Sequence, residues 1–181
     1  GLYTMGYNGE DFCYDIELPE HKVFLKDYKI DVFPVTNGQY IEFIENGGYE
    51  DYKYWLSDGW DKVKKNKWKA PMYWEKIDNN WHVRDFRGIR KINSNEPVCH
   101  VSYYEADAYC KWAGKRLPSE AEWEKAACWN EEKQEKTVYP WGNQLPETQR
   151  CNLLESYYWG CSEIGAFPNG ASPSGCHQMI G

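Results

Sequence analysis

Trp112-Ala113-Gly114-Lys115-Arg116-Leu117-Pro118-Ser119-Glu120-Ala121-Glu122-Trp123-Glu124 ends one helix and starts another. Gly114 is placed to take the left-handed conformation that closes a helix, because it has no Cβ to clash there. Pro118 disfavours helix at Leu117, and Ser119 then pairs with Glu122 as a capping box, each side chain accepting from the other residue's backbone N–H. Trp123, Ala126 and Ala127 give the new helix an apolar side. Upstream of Gly114, Ala113, Cys110, Tyr109 and Ala106 recur at helical spacing back to a second box, Ser102 with Glu105. A third box, Thr36 with Gln39, precedes Tyr40, Ile41, Phe43 and Ile44 and stops at Gly47-Gly48. Three boxes predict three short helices.

Strands are expected around them, at Val23–Leu25 and Tyr28–Val32, then at Met72–Glu75 and Trp81–Phe86 on either side of a turn at Asp78-Asn79-Asn80. Lys62, Lys64, Lys65, Lys67 and Lys69 alternate with Trp60, Val63 and Trp68, the pattern of a solvated helix face. From Val138 to Gly181 the chain is dense in Pro, Gly, Asn and Ser, yet Tyr, Trp and Leu interleave them, so ordered irregular loops packed on a core are expected. No internal repeat or low-complexity tract divides the chain. The reading is a single domain over 1–181, of the α+β class, with little regular secondary structure.

A chain of 181 residues can bury roughly 70% of its unfolded surface. With ten Trp and fifteen Tyr, much of that area must come from rings whose N–H or O–H groups seek partners. A net charge of −7 gives no electrostatic footprint for nucleic acid or an anionic membrane surface. No run of about eighteen apolar residues exists for a membrane-spanning helix. The seven cysteines are odd in number and include no Cys-x-x-Cys pair. Reduced thiols in a cytoplasmic protein are the preferred reading, with a Cys151–Cys161 or Cys161–Cys176 disulfide as the alternative.

Candidate chemistry is sparse. Four histidines, at 21, 82, 100 and 177, form no His-x-x-x-His pair. His100 lies in the apolar run Val98-Cys99-His100-Val101 and is expected to be buried and bonded to backbone. Cys99 beside it invites a nucleophile reading, but neighbours in an extended strand face opposite ways. Glu120, Glu122 and Glu124 crowd the start of the third helix, where the helix dipole favours negative charge, and Arg116 is near enough in sequence to pair with one of them. No Gly-x-Ser-x-Gly elbow, phosphate loop or dinucleotide fingerprint is present.

Taken in order, PVTNGQYIEFI from Pro34, PVCHVSYYEADAYCKWAGKRLPSEAEWEKAA from Pro97, YPWG from Tyr139 and IGAFPNGASPSGCHQMIG from Ile164 resemble the formylglycine-generating-enzyme or sulfatase-modifying-factor family, a C-type-lectin-like fold. GGYEDYKYWLSDGWDKVKKNKWKAPMYWE from Gly47, with the tight VCHVSYYEADAY, is more similar to the C-terminal domain of ergothioneine-pathway sulfoxide synthases. That resemblance implies a cytoplasmic non-haem iron(II) enzyme that uses oxygen to join a thiol, cysteine or γ-glutamylcysteine, to trimethylhistidine. The iron-binding histidines of such synthases lie in an N-terminal helical bundle that nothing here resembles. The family pattern continues past Gly181 with an Asp-Val-Trp-Glu-Trp-Thr-like segment and an Arg-Gly-Gly-Ser stretch, so the domain is expected to be truncated at its C-terminus. Neither catalytic residues nor the copper-binding cysteine pair of formylglycine-generating enzymes is expected within it.

The resemblance also implies structural calcium, with Asn152 and Leu153 matching one site and Gln178 and Gly181 starting a second. Asn152 capping a turn through its own side chain is the competing expectation. An inactive scaffold that shapes a substrate channel is thus expected, self-associating where a missing segment leaves apolar surface uncovered. The alternatives are a formylglycine-generating oxidase acting on a sulfatase cysteine and a non-catalytic C-type-lectin-like binding module.

Overall fold

The computed structural model describes residues 1–9 and 12–181, and they form small sheets and four helices joined by long loops. In chain order the strands and helices are β1 Leu2–Met5, β2 His21–Phe24, α1 Asn37–Glu45, α2 Ser57–Asn66, β3 Trp74–Ile77, β4 Asn80–Asp85, β5 Gly88–Lys91, α3 Tyr103–Trp112, α4 Glu120–Cys128, β6 Trp129–Asn130 and β7 Glu135–Lys136. Contacts group them into two compact units, one of residues 1–32, 118–151 and 167–181, the other of residues 33–117 and 152–166.

In the first unit β1 pairs antiparallel with β2, Tyr3 opposite Val23. Tyr3, Leu25 and Ala121 form its core, with Met5, Val23, Tyr28 and Trp129 packed around them. Helix α4 begins at the expected box: Ser119 Oγ accepts from Glu122 N, and the Glu122 carboxylate accepts from Ser119 N. The Tyr3 hydroxyl donates to Glu124 at 2.7 Å, and Lys136 Nζ bonds the same carboxylate oxygen. Burial, then this acceptor, holds the Tyr3 phenol far above its ordinary titration range. Glu122 and Glu124 therefore serve the helix start and the unit's packing.

Tyr28–Val32 forms no strand, contrary to its composition. The Tyr28 hydroxyl donates to the Glu122 carbonyl and the Val32 carbonyl accepts from His177 N, so the segment is held at single points rather than along a ladder. Residues 167–181 are ordered loop: Ser172 N donates to Cys176 O, and Ser174 Oγ donates to Ala126 O.

The second unit holds the larger core. Helices α1 and α3 start at the Thr36–Gln39 and Ser102–Glu105 boxes and meet through Tyr40, Phe43, Ala108 and Tyr109. The rings of Tyr40 and Tyr109 stack at 5.4 Å, and Phe43 sits edge-on to both. Their hydroxyls find partners inside: Tyr49 donates to Glu105 at 2.5 Å and lies 3.3 Å from the Tyr40 hydroxyl. Gly48 is required where it stands, because a Cβ there would run into the Phe43 ring. Helix α2 turns Val63 inward and leaves Lys62, Lys64 and Lys65 exposed, the solvated face expected; it stops at Lys67, whose φ of 54° is left-handed.

Strands β3, β4 and β5 form an antiparallel meander. Asp78 and Asn79 join β3 to β4 with φ of 46° and 64°, the primed turn that matches strand twist. Asn37 N donates to Glu96 O, Gly38 N to Ser94 O, and Val98 N to Val35 O, which ties the start of α1 to the segment before α3.

Candidate functional site

The meander, the segment 96–100 and the loop 154–161 enclose a cavity of about 380 Å³ within the second unit. Trp74, Val83, Phe86, Pro97, Leu154 and Trp159 supply most of its wall. Its polar side is an ion network built by the β4–β5 hairpin. Asp85 ends β4, Arg87 lies in the turn and Arg90 lies on β5, so the hairpin register brings all three together. Arg90 Nε donates to Asp85 Oδ2 at 2.9 Å and Arg90 Nη2 to Glu96 Oε2 at 2.6 Å. Arg87 Nη2 donates to the same Asp85 oxygen at 2.8 Å, and the Arg87 guanidinium lies over the Tyr158 ring at 5.0 Å. Glu96 is 4% exposed, so the network carries a fully desolvated carboxylate.

Burial raises the Asp85 carboxyl, but the hydrogen bonds from Arg87 and Arg90 outweigh it and hold the group down to about 2 against a usual 3.8. A folded pKa below the unfolded one stabilises the fold above the unfolded value and ceases to do so as pH falls through the folded one. We expect this contribution, about 2 kcal/mol, to be intact at pH 5, to fall away as pH drops towards 2 and to be gone below that. Urea unfolding across that range checks it, and Asp85→Asn should flatten the profile.

Two cysteines line the same cavity. The neighbouring Cys99 thiol pushes the Cys161 thiol down to about 7, while burial and Glu96 oppose it. The same interaction, then burial, pushes Cys99 well above the ordinary thiol range. All seven cysteines are free thiols.

His100 departs from expectation. Its side is exposed, its φ of 61° is left-handed, and its ring stands edge-on to Tyr73 at 5.0 Å. The alternation expected of an extended strand therefore fails at this residue, and Cys99 and His100 both line the cavity. The group that most shifts the Cys99 thiol is nevertheless Cys161.

Asn152 and Leu153 lie in the second unit. Asn152 Nδ2 donates to Gly160 O at 2.7 Å, while Asn152 Oδ1 and the Leu153 carbonyl both accept from the Ser156 hydroxyl. Gln178 and Gly181 lie in the first unit, both with positive φ. Among the described residues no three His, Cys, Asp or Glu side chains are grouped to hold a metal ion, so the iron that the resemblance implies does not fit a ligand set here. No helix among them is long and apolar enough to cross a membrane.

A model of the sulfatase-modifying factor enzyme 1-like domain matches residues 1–181. The chain is 40% identical to a hercynine oxygenase of Mycobacterium tuberculosis over 167 residues, 92% of this chain and 39% of that protein. It is 37% identical to a hercynine oxygenase of Mycolicibacterium smegmatis over 183 residues, 100% of this chain and 42% of the relative. A formylglycine-generating enzyme of Mus musculus is 31% identical over 206 residues, 100% of this chain and 54% of the enzyme. The chain thus spans about two fifths of the length of the hercynine oxygenases it matches.

Proposed function

The chain belongs to the sulfatase-modifying factor enzyme 1-like family, and on that premise we propose that residues 1–181 are the scaffold and substrate-channel part of an iron- and oxygen-dependent sulfoxide synthase. Its substrates are trimethylhistidine and a thiol, cysteine or γ-glutamylcysteine, and its place is the cytoplasm. The observation that carries this reading is the identity of 37–40% to hercynine oxygenases, against 29–34% to formylglycine-generating enzymes, since hercynine is trimethylated histidine. The fold is C-type-lectin-like in this reading. Its iron ligands belong to a helical bundle outside these residues. Calcium at Asn152 and Leu153, or at Gln178 and Gly181, stays part of the proposal.

The cavity supports the substrate assignment chemically. Trimethylhistidine is a zwitterion with a quaternary ammonium group and a carboxylate. Trp74, Phe86 and Trp159 offer ring faces to the first, while Arg90, Asp85 and Glu96 beside them are already paired with one another.

The test uses the complete gene product with iron(II), oxygen, cysteine and trimethylhistidine. Sulfoxide is expected from the complete protein and none from residues 1–181 alone. Trp74→Ala in the complete protein is expected to raise KM for trimethylhistidine roughly tenfold with kcat little changed, the loss of about one desolvated cation–π contact. Turnover by residues 1–181 alone would overturn the scaffold role. Formylglycine formed in a sulfatase-derived cysteine peptide, with no sulfoxide, would favour the oxidase that the 31% match keeps as the second reading.

A further inference from the structure

We propose that Cys99 and Cys161 form a peroxide-reactive dithiol, a modification site in the cavity wall that closes to a disulfide. The inference rests on position and contact and does not need the sulfoxide-synthase reading. Both thiols line one cavity, although the chain brings them from segments on either side of α3 and the whole of residues 118–151. Each is half-buried, so a small reagent can reach it, and the two thiols are near enough to shift each other's titration in opposite directions. Cys151 and Cys176, by contrast, are each 1% exposed, and Cys110 is buried in the aromatic core.

The chemistry follows from that contact. The thiolate is the nucleophile, and a neighbouring donor that stabilises it at one sulfur leaves the proton on the other. Cys161 carries the thiolate, helped by Arg90 and Arg87 at longer range, and Cys99 keeps the proton. Burial pushes Cys128 up to about 11, which leaves it little thiolate at neutral pH.

With hydrogen peroxide as oxidant, Cys161 Sγ attacks one oxygen. The S–O bond forms as the O–O bond breaks, and hydroxide leaves and is protonated to water, giving a sulfenic acid. Cys99 then loses its proton and attacks Cys161 Sγ. The S–S bond forms, the S–O bond breaks, and a second water departs. Two thiols are oxidised by two electrons and one peroxide is reduced to two waters. The new bond ties segment 96–100 to the loop that carries Trp159 and Gly160.

The experiment treats the reduced 181-residue chain with one molar equivalent of hydrogen peroxide and reads intact mass, followed by tandem mass spectrometry of a non-reducing digest. The expected result is loss of the mass of two hydrogens, a Cys99–Cys161 linkage, and recovery of the starting mass with dithiothreitol. Cys99→Ser removes the resolving thiol, so dimedone present during oxidation is expected to label Cys161 in that variant. If the variant does not fold, the linkage map of the unsubstituted chain decides alone. Oxidation spread over Cys13 and other thiols with no Cys99–Cys161 linkage, or an unchanged mass, would overturn the proposal.

Discussion

Phe43→Ala is expected to lower the unfolding free energy by about 3–5 kcal/mol, as removing a large ring from a sealed core does. Phe43 is 0% exposed, and rings of Tyr40, Tyr49, Tyr54, Tyr109 and Trp112 surround it. Those neighbours cannot collapse into the space, because Tyr40 and Tyr49 are also tied by their hydroxyls to each other and to Glu105. The void therefore persists and its lining loses contacts outright. Phe43→Leu keeps most of the volume and should cost less than half as much. Urea titration followed by tryptophan fluorescence reads both, and an alanine variant within about 1 kcal/mol of the parent would show that α1 and α3 do not share one core.

Arg90→Ala is expected to cost a similar amount, about 3–5 kcal/mol, for a different reason. Arg90 bridges Asp85 and Glu96, and its removal leaves Glu96 buried with only the Arg87 guanidinium, at 3.8 Å. The loss is then an uncompensated carboxylate rather than a missing contact. Arg90→Lys should restore little, since an ammonium group cannot span two carboxylates with a planar fork. Arg90→Met combined with Glu96→Gln should cost less than Arg90→Ala alone, because it removes the stranded charge along with its partner. Denaturant unfolding at pH 7 reads the set, and a double variant worse than the single one would contradict this account.

Legibility in the sequence followed the range of the interaction. The three capping boxes were readable because each closes within four residues, and all three helices start where Thr36, Ser102 and Ser119 put them. The Asp78-Asn79 turn was readable for the same reason. Strand β5 was not, because its pairing with β4 depends on hairpin register rather than on its own composition, Gly88-Ile89-Arg90-Lys91. Tyr28–Val32 had a strand's composition and found no partner strand.

The resemblance led to the right family, and the cavity was hidden from it. Its wall draws on residues from Asn37 to Cys161, and no local pattern announces such a gathering. One signal was available: Asp85, Arg87 and Arg90 crowd a short hairpin turn, a density of opposite charges that a solvated loop does not need. The apolar run around His100 predicts burial, but the residue is exposed, and its left-handed backbone also breaks the alternation that an extended strand would give.

The second unit takes residues 33–117 and then 152–166, so its chain is interrupted by part of the first. During synthesis the ribosome must therefore add roughly sixty residues between Cys99 and Cys161, an interval on the order of 3–12 s at 5–20 residues per second. For that time the half-made cavity lacks its outer wall, and the Cys99 thiol waits without the sulfur it will face. A nascent chain stalled shortly before residue 154 would leave the apolar wall at Trp74, Val83 and Phe86 uncovered, so pausing there should raise its aggregation.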